Sequence, residues 1–499
     1  MRGIIASAAM LLLGALVAVP QPASAAGTLR VAVQSNLNTL DPAKTKIGEE
    51  YIVDILVYSG LTELDSHGRA RPDLAERWTT SPDQKTWTFY LRKDAKFHNG
   101  RPVDAQDVIE TVKRILDPAT GSPYRANFQI VDKMEALDPH TVRFELKIPY
   151  AGFADIFGDR QARIVPRDAL NTLSTHPIGS GPFMFQSYEP GNSVVLVRNP
   201  NYYVPGVPKL DKVVLRIIPE GAAAVSALET GEVDLLWNLP LESIGEIKKN
   251  PDLVVDSVPT STWDGLIMNC SQKPFTDQRV RRAVELAIDK NAMVQLALFG
   301  NGTPTHTMIP PSSPFYNSDI KIGPPDIAGA KKLLAEAGYA NGFDITLYVP
   351  AGRPTRERLG LAAREMLKPI GIKVAIQTVP WDKFISDIEG KATFYTDGFF
   401  SRPTIDTSVY PFFDSNGSWN STLWHYKNPE IDKVLDAARG ARSEEEQAKL
   451  YKQFQVLALE DPPGVIAYVQ NHVNAYRKNV KGFHSSPMLW LDLRQVTVQ

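Results

Sequence analysis

The 499-residue chain has a single cysteine, Cys270, so no disulfide can form within it. Any stability must come from a large packed core, and the length is ample for two or three domains. Neither sign of charge dominates: 54 basic residues face 56 acidic ones, for a formal net charge of −2. There is accordingly no basic stripe for nucleic acid and no acidic tail. Beyond the first two dozen residues no apolar run is long enough to cross a membrane.

The opening residues do hold an apolar run. Arg2 is followed by the uncharged stretch Ile4–Val19 and then by "PASAAG". That order of charge, apolar segment and small residues predicts a cleavable export signal over residues 1–25, cut after Ala25. No cysteine lies near the cut to carry a lipid, so the expected product is a soluble protein of the periplasm.

Chemistry-bearing constellations are also scarce. The eight histidines (67, 98, 140, 176, 306, 425, 472 and 484) include no pair at helical i,i+4 spacing. Cys270 has no second thiol, so neither a metal site nor a cofactor is predicted. "GSGPF" at 179–183 lacks the Lys-Ser/Thr of a phosphate loop and has Phe183 where a nucleophile elbow needs glycine. Nothing marks the chain as an enzyme.

Strand-like and helical runs alternate irregularly, which predicts a mixed α/β fold without the strict βαβ rhythm of one doubly wound sheet. "TLRVAV" (28–33), "TWTFYLR", "TVRFELK", "SVVLVRN", "KVVLRIIP", "ITLYVP", "KVAIQTVP" and "VIAYVQ" read as strands. Asp104 caps the helix "AQDVIETVKRIL", Asp277 caps the long run "QRVRRAVELAIDKNAMVQLAL", and Ser443 with Glu446 opens "QAKLYKQFQVLALED". No period of 20–50 residues repeats, which excludes solenoids and propellers.

From Leu74 to Val108 the chain reads "LAERWTTSPDQKTWTFYLRKDAKFHNGRPVDAQDV". Further on come "PIGSGPF" (177–183), "RNPNYY" (198–203), "LETGEVDL" (228–235), "NCSQKPFTDQRVRRAVELAIDK" (269–290) and "NPEIDKVLDAAR" (428–439). In this order the segments closely resemble the oligopeptide/dipeptide/nickel class of solute-binding proteins of ABC transporters. The resemblance runs through the whole chain after residue 25. Physically, the motifs are core aromatics, a close-approach turn at "GSGPF" and a capped helix start, so they speak to fold before ligand.

The resemblance implies a type II periplasmic-binding-protein-like α/β fold of two hinged lobes with an extra inserted domain. Residues 26–62, 175–261 and 461–499 would form the first lobe, 63–174 the inserted domain and 262–460 the opposing lobe. Hinge strands are expected near 174–180, 258–263 and 461–464. A small organic solute would bind between the lobes, and the closed form would dock on a membrane permease as a monomer. Nickel and haem occur as ligands in this class, but the scattered histidines give them no support here.

Peptide-binding members carry Gly-Trp-x-x-Asp in the cleft, the acid pairing with the peptide amine. This chain has Gly398, Phe399, Phe400, Ser401 and Arg402, a reversal of charge at the acid. A guanidinium there repels an ammonium and suits a carboxylate or phosphate. The other reading has Arg402 folded back on Asp406 or Asp397 as a prop for its loop. Further cleft residues implied by position are Trp381, the loop Lys46–Ile47–Gly48, Trp263 and Asp264, with Tyr395 and Trp424 beside them. Two rivals share the fold: an ordinary di- or oligopeptide binder that holds the amine elsewhere, and a ligand sensor serving a chemoreceptor.

Overall fold

The computed structural model describes residues 27–65 and 68–499. The predicted export signal lies outside the described residues, apart from its flank at Gly27. Among the described residues no helix is long and apolar enough to cross a membrane.

Alternating apolar residues produce the expected strands almost residue for residue: Thr28–Val33, Thr86–Leu91, Thr141–Leu146, Ser193–Arg198 and Lys212–Ile217. Helix 105–116 starts where Asp104 accepts from the amides of Gln106 and Asp107, and it buries Val108, Val112 and Ile115. One helix departs from expectation. The run after Asp277 is two helices, Gln278–Ala287 and Lys290–Leu298, because Ile288 turns extended and Asp289 caps anew, accepting from the Ala292 amide. The break turns Lys290 inward onto Glu285, with 2.5 Å between them and both buried.

The principal sheet follows the order 372–379, 343–350, 394–399, 253–268, 464–477, 235–236, 28–33, 212–217, 193–198, 183–189, with 302–304 paired at its side. Two long strands, Leu253–Met268 and Gly464–Arg477, run antiparallel through its middle and belong to both halves. Their register slips between Pro259, opposite Asn471, and Trp263, opposite Val469. A bulge of this kind bends the ladder where the two halves meet. Leu29, Val31, Val213, Leu215 and Leu491 pack on one side of it. Leu266, Val284, Leu347, Val465 and Tyr468 pack on the other. Residues 465–468 share the core of the 262–460 segment.

A separate four-stranded sheet, ordered 75–80, 86–91, 141–146, 131–138, has its own core. Phe89, Phe144, Phe153 and Phe157 fill it, with Phe89 and Phe144 edge to face at 5.8 Å. "GSGPF" fastens this unit to the sheet half: the His98 amide donates to the Gly179 carbonyl at 2.8 Å, while Gly181 donates to the Val57 carbonyl at 2.9 Å. A Cβ on Gly179 would lie 2.0 Å from that same oxygen, so the contact demands glycine.

Candidate functional site

The strand Phe394–Phe399 lies antiparallel to 263–268, pairing Trp263 with Phe399 and Asp264 with Gly398. A Cβ on Gly398 would sit 2.1 Å from Asp264 Oδ1, so glycine is required for the approach. Beyond Phe399 the chain leaves the sheet. Ser401 ties it back: its amide donates to Thr262 Oγ1 at 3.0 Å, and its Oγ accepts from the Ser261 amide at 2.9 Å. Thr404 then caps helix Ile405–Phe413. Held at both ends, this loop projects Arg402 toward the other half of the molecule.

Arg402 faces Arg160, Tyr51, Asp159 and Tyr124, none of them from its own half. Its guanidinium lies 5.9 Å from the Trp419 ring centre. Arg160 stacks 3.9 Å above the Tyr51 ring and donates to the Ser401 carbonyl at 3.2 Å, across the gap between the halves. Neither arginine forms an ion pair among the described residues, and the Nε of each is buried without a partner. Burial first, and then the like charge of Arg160, pull the Arg402 guanidinium below the usual arginine range. The prop reading of Arg402 has no support in this geometry. Asp406 is taken by Arg439 at 2.8 and 3.0 Å and by Tyr150 at 3.0 Å. Asp397 is taken by Arg356 at 2.7 Å.

A second charged group gathers at the end of the same strand, around Asp397 and Gly398. Arg356 also binds Asp264 at 3.1 Å and the Gly398 carbonyl at 2.6 Å. Arg353 lies 4.3 Å over the Trp381 ring, which is 38% exposed. Glu49, in the first turn of helix Gly48–Val57, faces Arg353 from the other half. Burial pushes the Glu49 carboxyl up, against hydrogen bonds from Ser35 and the Gln34 amide.

Residues 69–420 match the family described as bacterial extracellular solute-binding proteins, family 5 Middle. The glutathione-binding protein GsiB of Escherichia coli O1:K1 is 31% identical over 479 residues, 93% of each chain. This is a family 5 bacterial extracellular solute-binding protein.

Solved structures agree with that membership. The periplasmic binding protein AgaA of A. tumefacien R10, in complex with agropinic acid, superposes with a TM-score of 0.84. It is 27% identical and the match covers 95% of this chain and 99% of that one. DppA of Helicobacter pylori, an ABC transporter-associated periplasmic binding protein in complex with the peptide STSA, superposes at 0.83 with 26% identity, covering 95% and 98%. The type II binding-protein fold expected from the motifs is the fold of this chain, and solute binding for an ABC importer is the activity of its family.

The remaining sequence-predicted residues of the solute-binding protein divide by depth. Phe400 and Trp381 are exposed, Lys46 is exposed and Ile47 half-buried. Gly48 is buried against Trp237, where a Cβ would meet the ring at 2.4 Å. Trp263, Tyr395 and Trp424 lie in the core behind the loop, deeper than a surface wall. Trp263 and Trp424 stack at 5.9 Å, and Trp424 donates to the Phe412 carbonyl. The Tyr395 hydroxyl donates to the Leu423 carbonyl. Phe399 packs half-buried on Trp263 and Trp419. Asp264 is buried and saturated by Arg356 and Gln470. Three charged residues of the crevice, Arg160, Glu49 and Arg353, escape the motif reading. "GDRQAR" is one more mixed-charge stretch in sequence, and its meeting with Ser401 spans 241 residues.

Proposed function

We propose that this solute-binding protein captures a small organic solute through an anionic group seated between Arg402 and Arg160, and hands it to the permease of an ABC importer. The supporting observation is the pair of half-facing guanidinia, one from each side of the crevice, with no carboxylate bound to either among the described residues. Two desolvated like charges repel, and an anion between them relieves that repulsion while accepting charge-assisted hydrogen bonds. Glutathione and agropinic acid, the ligands named for two relatives, are both carboxylic acids.

Binding in this reading is lobe closure. The inserted unit and the first half hold Arg160 and Tyr51, the opposing half brings Arg402, and the bulged strands at 259–263 and 469–471 bend. The protein acts as a periplasmic monomer and leaves its ligand chemically unchanged. Ligand carried through purification, identified by mass spectrometry, together with a thermal-shift screen of organic acids, sugars, opines and peptides, names the solute. Arg402→Ala is expected to weaken its binding about a hundredfold and Arg402→Asp to abolish it, as loss of a buried charge pair costs about 3 kcal/mol or more. Unchanged affinity in both variants rejects the reading.

A further inference from the structure

Strand Leu253–Met268 loses its partners on both edges at one place. Toward 464–477 the ladder runs as far as Pro259, opposite Asn471, and resumes at Trp263, opposite Val469. Toward 394–399 it begins only at Trp263, opposite Phe399. Thr260, Ser261 and Thr262 pair in neither ladder. Thr260 and Thr262 are buried and Ser261 is half-buried, so their backbone groups need other partners.

Side chains supply them. The Thr262 amide donates to Thr260 Oγ1 at 2.9 Å, and Thr260 Oγ1 donates to the Gln470 carbonyl at 2.7 Å. The Ser261 amide donates instead to Ser401 Oγ at 2.9 Å, 140 residues further along the chain. Thr262 Oγ1 accepts from the Ser401 amide at 3.0 Å and donates to Ser401 Oγ at 3.4 Å. Ser401 is fully buried, and its hydroxyl and amide stand in for the strand that is missing.

Its carbonyl serves the other half of the molecule, accepting from Arg160 Nη1 at 3.2 Å. One residue therefore joins three parts: the bulge, the opposing half and the loop that carries Arg402. If the bulge bent and left the loop behind, the Ser261 and Ser401 amides would lose their acceptors in a buried place, which costs more than the bonds themselves contribute. The hydroxyl is the critical group. Alanine in its place keeps the amide and the carbonyl but gives Ser261 no acceptor.

We infer that Ser401 is a positioning residue that latches the arginine loop to the bend between the halves. Loop and bulge move as one body, so a contact made across the crevice at Ser401 and Arg402 is felt at the bulge. The inference rests on the lobe-closure reading above and says how capture and closure are linked, whatever the solute is.

Amide hydrogen exchange in the ligand-free full chain tests it without a solute. Rates are read relative to the Leu266 amide, whose residue pairs on both edges of the same strand. A variant that is merely destabilised then shows no relative change. Ser401→Ala is expected to speed exchange at Ser261 about tenfold. Thr262→Val keeps the shape of the side chain, removes the acceptor from the strand side and is expected to speed exchange at Ser401 by a similar factor. Arg160→Ala, which removes the bond across the crevice, is expected to speed exchange at Ser261 about threefold in the parent and no further in Ser401→Ala. Parental relative rates in both Ser401→Ala and Thr262→Val overturn the latch. Equal effects of Arg160→Ala in the two backgrounds make Ser401 a local prop and overturn the coupling. Failure of the anion site shows separately, as unchanged solute affinity in Arg402→Ala, and leaves these ligand-free rates untouched.

Discussion

His472 is buried at the strand crossing beside Trp237, 5.6 Å between ring centres, with neither ring nitrogen bonded. Burial pulls it down to about 4 from an ordinary 6.5. The unfolded chain therefore takes up a proton there first, and stability falls as pH drops from 6.5 toward 4, by up to about 3 kcal/mol. Replacing His472 by leucine is expected to flatten the melting temperature over that interval; an unchanged pH slope refutes the assignment. Glu389 has the opposite sign. Burial, and then Asp397, push it up to about 7. The neutral carboxyl favours the fold below about 4.5, and that advantage is lost as pH rises through about 7. Glu389→Gln is thus expected to gain stability over the parent at pH 8 and little at pH 4.5, in melting curves run without ligand.

At the scale of elements, the helix 105–116 is anchored by more than its cap. Asp104 takes two backbone amides and a two-pronged contact from Arg167 at 2.6 and 3.0 Å, while Asp107 takes Arg101 at 2.6 Å. Asp104→Ala is expected to cost about 2 kcal/mol, the upper range for a cap, in denaturant unfolding of the full chain. Gly181 lies where the inserted unit leaves the sheet half, and a Cβ there would come within 2.6 Å of the Val57 carbonyl carbon. Gly181→Ala has no flexible neighbour to displace, so about 3 kcal/mol of destabilisation is expected, read from the same unfolding curves. A smaller loss than that of Asp104→Ala contradicts the close-approach account.

Across the whole molecule, the two sides meet through side-chain contacts as well as through the two shared strands. The Tyr150 hydroxyl reaches Asp406, Arg160 reaches the Ser401 carbonyl, and Arg69 meets Glu444 at 2.5 Å. Asp406 is itself clamped by Arg439, which lies over the Tyr410 ring at 3.2 Å, so the acceptor for Tyr150 is preset. Tyr150→Phe removes about 1 kcal/mol of closure energy and is expected to weaken solute binding about fivefold. Small-angle scattering should show a larger radius of gyration for the ligand-free variant; identical curves and affinity exclude a part for Tyr150 in closure. Strand and helix positions were legible in the sequence because alternation and caps are local properties, as at Thr28–Val33 and Asp104. The family was legible because its motifs are contiguous runs. Arg402 stood out for the same reason, as a charge reversal inside a recognisable motif. The break at Ile288–Asp289 was not legible, since an unbroken apolar stripe hides a residue that turns to bury Lys290. The depth of Trp263, Tyr395 and Trp424 was hidden too, because an aromatic suits a wall and a core equally. By itself the sequence determined an α/β solute-binding fold and one suspect position for the ligand. Only the tertiary structure decided what Arg402 faces: Arg160 and Tyr51 come to it from segments hundreds of residues away, and electrostatic environment depends on distance in space, which no local pattern of residues records.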